Sequence, residues 1–536
     1  MVQVQQCLLG LALAALAVTP ASAGEFFRDD PLWREPKPLP VENANARKLN
    51  EYYDFFSHSF ALDNIADLQK EHREPVPAHA VNTLGEVPAS SWYENRHSRL
   101  HPMSPEELAR GPGNSNQPVA PWILVSGKTE GITPGFQIED ARGRRYLVKL
   151  DPKTNPELAS AADVIGSKIF HALGYNVPEN YIVSFTRNQL RITEKSEVED
   201  ELGRKRPMTE YDLRKILAKA PRNEEGEYRA MASLFIKGKP LGPFRYHGTR
   251  SDDPNDIYPH EHRRDLRGLY VFSAWLNHTD TKALNSADFL VEEDGVPHIK
   301  HYLIDFGATL GSDSFEAKSP RAGNVHLFDA KPAAAQMFSF GLYVPAWMRA
   351  EFPNMPSVGN FEAELFDPLH WKNNYPNPAF RNLLPDDGFW AAKKVMAFTD
   401  DQIRAIVNTG EYSNPAAAEY VARTLIDRRD KIGRAYFDQL LPLDNFRVEG
   451  GRLTFDDLGV VDGFNQPRAY SFAWFVFDNQ TGKKTALPGA PVPELPRNDA
   501  QYLAADIHAG DASKTVTVYV RNTGSTPEVV GLDRRW

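Results

Sequence analysis

From Trp122 onward, short apolar runs alternate with turn residues. Trp122-Ile123-Leu124-Val125, Phe136 to Glu139 and Tyr146-Leu147-Val148-Lys149 each predict a strand, with a turn over Asp140 to Arg144. A helix is expected from about Asn155 to Leu173, closed by Gly174 as its C-cap. Tyr181 to Phe185 and Tyr228 to Ile236 read as further strands, and the charged stretch between them, Glu194 to Arg206, as a solvated excursion. His262 to Trp275 predicts a helix with Leu266, Leu269, Tyr270, Phe272 and Ser273 on its buried side. A hairpin follows with its turn at Glu293-Asp294-Gly295, and helices recur between Phe389 and Leu441, including Ala416 to Phe437.

The flanks have a different character. Residues 24–115 are punctuated by proline, with one helix expected between Asn43 and Phe56 and a linker at Gly111-Pro112-Gly113-Asn114-Ser115. This extension is expected to lie along the body of the protein rather than to fold alone. After Pro442, the β-branched and aromatic runs Phe446 to Val448, Arg452 to Phe455, Ala469 to Phe477 and Thr515 to Val520 predict a small β-sandwich over 444–536. Its aromatic residues, Trp474 among them, read as core.

Composition narrows the setting. The 536 residues are long enough for about two to four domains, and 41% hydrophobic content fits a folded protein. The net charge of −10 disfavours general nucleic-acid binding, which needs a basic surface. Cys7 to Val18 is apolar and leads to Thr19-Pro20-Ala21-Ser22-Ala23, the pattern of a secretory signal peptide cleaved after Ala23. That predicts an exported protein, periplasmic or extracellular, with no transmembrane segment after cleavage. The single cysteine, Cys7, lies in this segment, so a cleaved chain has no disulfide, thiolate nucleophile or Cys-ligated zinc.

Two motifs carry chemistry. Asn277-His278-Thr279-Asp280-Thr281-Lys282-Ala283-Leu284-Asn285 follows the apolar helix, and Leu303-Ile304-Asp305-Phe306-Gly307 follows the hairpin. Phosphoryl transfer needs a carboxylate to orient the attacking hydroxyl and oxygen ligands to hold a cation on the phosphates. Asp280 suits the first task. Asn285 and Asp305 suit the second, since Mg²⁺ prefers hard oxygen donors. Lys282 is placed to neutralise a transferring phosphate. His260-Glu261-His262 lacks metal-site spacing and reads as the start of a helix. A Gly-x-Ser-x-Gly elbow, the mark of a serine hydrolase, is absent from the sequence.

His278-x-Asp280-x-Lys282-x-x-Asn285 followed by Asp305-Phe306-Gly307 resembles the catalytic loop and metal-binding motif of the protein-kinase superfamily. By that resemblance Lys149 is the strand lysine that binds the α- and β-phosphates, and Gly127, Gly131 and Gly135 occupy the Gly-rich loop. Asp163 to Gly174-Tyr175-Asn176-Val177-Pro178 is similar to the helix of HipA-like and CotH-like atypical members, which implies that Asp163 holds Lys149, with Glu157 as the competing residue. The implied fold class is α+β: a bilobal kinase-like body with an N-lobe over 116–245 and a helical C-lobe over 246–443, between the extension and the β-sandwich. Lys237 to Pro240 would be the hinge or lie just past it.

The implied function is an exported atypical kinase-like transferase. It would use ATP and Mg²⁺ on an unidentified hydroxyl acceptor, either protein or small molecule. Two alternatives share these residues: nucleotidyl (AMP) transfer on the same fold, and an inactive pseudokinase scaffold with an envelope-binding β-domain.

Overall fold

The computed structural model describes residues 24–60, 75–113, 115–128, 134–199, 204–329, 338–339, 344–489, 491–523 and 526–536. The expected signal peptide, Cys7 and Gly131 lie outside the described residues. Among those described, no helix is long and apolar enough to cross a membrane.

An extended N-terminal segment carries α1 (Glu51–Ser59) and α2 (Pro105–Arg110). The observed α1 begins later than the sequence suggests, because Asn50 caps it by accepting from the Tyr53 N–H. Among the described residues, this segment has no separate core. Val87, Trp92 and Tyr93 are buried among residues of the helical region, and Tyr93 bridges to Tyr175.

Next comes a twisted sheet of β1 (Trp122–Lys128), β2 (Gly135–Glu139), β3 (Arg145–Leu150), β4 (Asn180–Phe185), β5 (Leu190–Arg191), β6 (Glu197–Glu199), β7 (Lys205–Pro207) and β8 (Tyr228–Leu234). Its order is β4-β8-β3-β2-β1-β6-β7, with β5 also pairing β1. The pleat sends Tyr146, Val148 and Leu150 into one core with Phe136, Ile138 and Phe185, so Lys149 projects from the opposite face. Across that face lies α3 (Leu158–Ala172), whose Val164 packs on Ile182 and Met231. The stretch expected as a solvated excursion instead adds β6 and β7 to the sheet edge. Val198 is fully buried and anchors the addition, and α4 (Glu210–Leu217) then covers β1 with Leu213 and Ile216.

Beyond the sheet, β9 (Lys239–Gly242), β10 (Ser286–Glu293) and β11 (Val296–Leu303) form a small antiparallel sheet of order β11-β10-β9. The segment expected as a hinge thus runs directly into β9. Between β9 and β10 comes α5 (Arg264–Leu276), buried along nearly its whole length. His260 to His262 is a separate 3-10 turn before it, divided from α5 by the extended Arg263. Around α5 pack α6 (Pro385–Val395) and α8 (Pro415–Phe437), while α7 (Asp400–Asn408) packs on α8 and α2. Trp275 and Trp390 are its largest fully buried apolar side chains, and this core continues into α3 through Ile165, Ile169 and Phe170.

The chain ends in a hairpin, β12 (Leu443–Glu449) with β13 (Arg452–Asp457), and an antiparallel sheet of β14 (Ser471–Asp478), β15 (Lys483–Ala486), β16 (Tyr502–His508), β17 (Thr515–Arg521) and β18 (Glu528–Arg534). The sequence predicts a β-sandwich here. The hairpin, with Leu487 and Leu495 from the β15–β16 connection, covers Trp474, Leu503 and Val518, while Phe26 from the N-terminal segment covers part of the other face.

Candidate active site

Lys149, Asp163 and Asp305 come from three elements and meet at one point. The Lys149 ammonium lies 3.2 Å from Asp163 Oδ2 and 2.7 Å from Asp305 Oδ1. Aspartate on α3 therefore reaches the lysine. Glu157 does not take part, because it sits at the N-terminus of α3 and accepts from the Ser413 N–H. Burial works against the charged lysine, but the two carboxylates outweigh it and hold the ammonium protonated, above its usual range. Burial pushes Asp163 up despite Lys149. In Asp305, which is more exposed, Lys149 outweighs burial and holds the carboxyl below the usual carboxylate range.

Asp163 also fixes the strand end that carries Asp305. Its Oδ1 accepts from the Phe306 N–H at 2.8 Å, and Thr309 Oγ1 donates to the neighbouring Ala162 carbonyl. Asp305 itself has φ +61°, a left-handed conformation that favours glycine and costs other residues energy; Asp and Asn bear it best. Phe306 stacks on Phe170 of α3 with ring centroids 5.2 Å apart, and His278 adjoins both rings. Burial lowers the His278 pKa to about 4, so the imidazole is neutral, with Nδ1 3.2 Å from the Ala308 carbonyl.

The loop after α5 supplies the second group. Asn285 donates through Nδ2 to the Asp280 carbonyl at 2.7 Å and to Asp280 Oδ2 at 2.9 Å, which turns the loop back on itself. The two motifs are tied by the Ile304 N–H, which donates to the Asn285 carbonyl at 3.0 Å. Lys282 stands 3.3 Å from Asp280 Oδ1.

Several residues at the site escaped the sequence reading. The run Asn373-Asn374-Tyr375-Pro376-Asn377 clamps the loop from outside. Asn373 donates to Thr281 Oγ1 at 3.0 Å, Asn377 to the Thr281 carbonyl at 3.3 Å, and Asn374 through its backbone to the Thr279 carbonyl at 2.8 Å. Three asparagines in five positions, at a density that surface loops seldom need, were the available hint. Lys318 is buried and donates to Thr279 Oγ1 at 2.8 Å. Glu51 of α1 reaches Lys282 at 2.5 Å, and Asp54 accepts from the Tyr375 hydroxyl at 2.8 Å. Nothing local in the sequence links α1 to a loop so far along the chain.

The glycines require a correction. Gly127 lies inside β1, not in a loop, and a Cβ there would come within 2.9 Å of Ile216 on α4 and of Met208 just before that helix. Its small size serves helix-on-sheet packing. Gly135 opens β2 opposite Lys149, where a Cβ would stand 2.4 Å from the Val148 carbonyl oxygen.

Among the described residues, no three His, Cys, Asp or Glu side chains cluster closely enough to hold a metal. The donor set fits a cation shared with a bound phosphate: the Asp305 carboxylate, 42% exposed, and the Asn285 side chain, whose nitrogen is committed to Asp280 so that its amide oxygen remains available.

No protein-family model matches the chain, and no curated protein matches it. Similar solved structures include a Helicobacter pylori proinflammatory kinase, CtkA, at 10% identity and a TM-score of 0.30, covering 61% of this chain and 96% of that one. The Golgi casein kinase is similar at 10% identity and a TM-score of 0.31, covering 78% of this chain and 94% of that one. Its Mn/ADP-bound form has the same identity and score, covering 75% and 94%.

Proposed function

We propose that this protein is a kinase-like phosphotransferase that takes ATP with Mg²⁺ and acts, after export, on a hydroxyl-bearing acceptor. The carrying observation is the single ammonium of Lys149 held between Asp163 and Asp305, with the Asp280–Asn285 loop hydrogen-bonded to the backbone beside Asp305. Buried lysines are costly unless paired, and this one is fixed by a residue of α3 while remaining open to a ligand on its Asp305 side.

In this reading Lys149 binds phosphate oxygens and exchanges part of its contact with Asp305 for them. Asp305 and Asn285 would hold the cation, which when bound would offset the negative charge of the phosphate. Asp280 orients the acceptor hydroxyl and receives its proton. Its carboxylate is held for that task by Asn285 and Lys282. Lys282 faces the transferring group as a point charge. Neutral His278 and Phe306, packed on Phe170, keep the floor of the site apolar and rigid.

Incubation with ATP labelled on either the α- or the γ-phosphate tests the reading. Transfer of the γ-label to an acceptor or to the chain, lost in Asp305→Asn, is the expected result. Transfer of the α-label alone replaces phosphotransfer by nucleotidyl transfer. Absence of a thermal shift with ATP and Mg²⁺ removes the nucleotide altogether, since ligand at 100 times its Kd stabilises by about 2.7 kcal/mol.

A further inference from the structure

A cavity of about 770 Å³ lies where the N-terminal segment, α6 and the β12–β13 hairpin converge, and it shares no lining residue with the site around Lys149. That volume falls within the range of small-molecule pockets, and a junction of separate elements is where such pockets form. Trp33, Leu100, Phe446, Leu458 and Leu532 give it an apolar lining. Trp33 and Leu100 are more than half exposed at its edge, at 54% and 64%.

Its charged residues are matched with one exception. Lys393 is bound by both Glu86 and Asp444, Arg99 by Asp462, and Arg34 by Glu94 at 3.7 Å. Lys394 has no carboxylate partner among the described residues. It is 95% buried, with 5% of its surface exposed, and its ammonium makes one hydrogen bond, to the neutral Asn95 Oδ1 at 2.8 Å. An ammonium has three donors, and a buried cation lacking a counter-charge is costly. Burial accordingly lowers the Lys394 pKa; Glu86 and, less strongly, Asp444 oppose the effect, and adjacent Lys393 adds to it.

We propose that this cavity binds a small amphipathic monoanion, its carboxylate on the Lys394 ammonium and its apolar body against Trp33, Leu100, Phe446, Leu458 and Leu532. Glu86, Glu94 and Asp444 line the same space, which disfavours a dianion such as a phosphate monoester. A neutral molecule would fill the apolar part but leave the lysine as it stands. The proposal is independent of the phosphotransferase reading.

Titration calorimetry of the full chain with octanoate, 1-octanol and octyl phosphate, each kept below its micelle concentration, provides the test. Octanoate is expected to bind at one site about tenfold or more tighter than 1-octanol, as a charge-assisted hydrogen bond warrants, and tighter than octyl phosphate. Lys394→Met should remove the preference over 1-octanol. Leu100→Glu, at an exposed position that cannot disturb folding, should weaken octanoate binding. Equal binding of octanoate and 1-octanol, tighter binding of octyl phosphate, absence of binding, or wild-type affinity in Leu100→Glu would overturn the proposal.

Discussion

Lys149 stands closer to Asp305 than to Asp163, 2.7 Å against 3.2 Å, although Asp163 is by far the more buried of the two carboxylates. The two acids therefore do different work. Asp163, 3% exposed, holds both the ammonium and the Phe306 N–H, so its loss leaves a buried backbone donor unpaired and the buried ammonium with Asp305 alone. Asp163→Ala should cost about 3 kcal/mol in urea unfolding. Asp305 is 42% exposed, and Asp305→Asn, which keeps a side chain tolerant of φ +61°, should cost under about 1 kcal/mol while abolishing the thermal shift produced by ATP and Mg²⁺. Equal destabilisation by the two changes would show that the roles are not divided.

Acid should weaken the fold through its buried neutral histidines. Burial lowers the pKa of both His278 and His97 to about 4, and His97 Nδ1 accepts from the Met103 N–H, which requires it unprotonated. Unfolded histidine binds its proton near pH 6.5. Between about pH 6.5 and 4 the unfolded chain thus holds more protons than the folded one, so stability rises with pH and is lost as pH falls through that window. Each histidine contributes on the order of 1–2 kcal/mol between pH 6.5 and 5. Asp305, whose folded pKa is depressed, loses its contribution only lower, below the ordinary carboxylate range. His97→Phe should flatten the plot of unfolding free energy against pH over 5 to 6.5; an unchanged slope would count against neutral burial.

The parts of the site legible in the sequence are those whose geometry is local. Asp280, Lys282 and Asn285 sit in one loop, and Asn285 closes on Asp280 within five positions. Lys149 and Asp163 are picked out only through the resemblance to kinase-like families, since nothing in either residue alone marks it. Glu51, Asn373 and Lys318 reach the same loop from remote segments, and long-range contact leaves no periodicity to read. The strands β6 and β7 were hidden for another reason. Their charged residues are exposed, and a single buried Val198 decides that the segment joins the sheet.

Glu51 restrains Lys282. The contact is 2.5 Å long, with Glu51 54% exposed, and it engages the same ammonium that stands 3.3 Å from Asp280. Both carboxylates hold the Lys282 ammonium above its usual range against the effect of burial. Glu51→Gln leaves α1 docked through Asp54 and Tyr375 but frees the ammonium. Phosphoryl transfer should then rise, by no more than about fivefold, because an exposed pair is worth at most about 1 kcal/mol. A slower variant would mean that Glu51 supports the site rather than shields it.

Asn373 tests the clamp. It is buried and donates to Thr281 Oγ1, one residue from Asp280. Asn373→Ala should cost about 1–2 kcal/mol in unfolding free energy and lower turnover more than it weakens ATP binding, since the loop loses its outer support while Lys149 is untouched. Equal losses in binding and turnover would place the damage elsewhere.

The two described glycines separate a phosphate-loop role from a packing role. At Gly127 the obstacles to a Cβ are the ends of two flexible side chains, Ile216 Cδ1 and Met208 Cε. Gly127→Ala should therefore cost about 1 kcal/mol and leave nucleotide affinity unchanged, because the strain falls between β1 and α4, on the face of the sheet away from Lys149. At Gly135 the obstacle is backbone, the Val148 carbonyl oxygen, and the paired residue is Lys149 itself. A carbonyl in a sheet ladder cannot swing aside without breaking its pairing, so Gly135→Ala must spread β2 from β3 and shift Lys149 with them. It should weaken ATP binding as well as stability. Nucleotide affinity measured on both variants distinguishes the cases: a loss at Gly127 equal to that at Gly135 would return both glycines to a phosphate-binding loop.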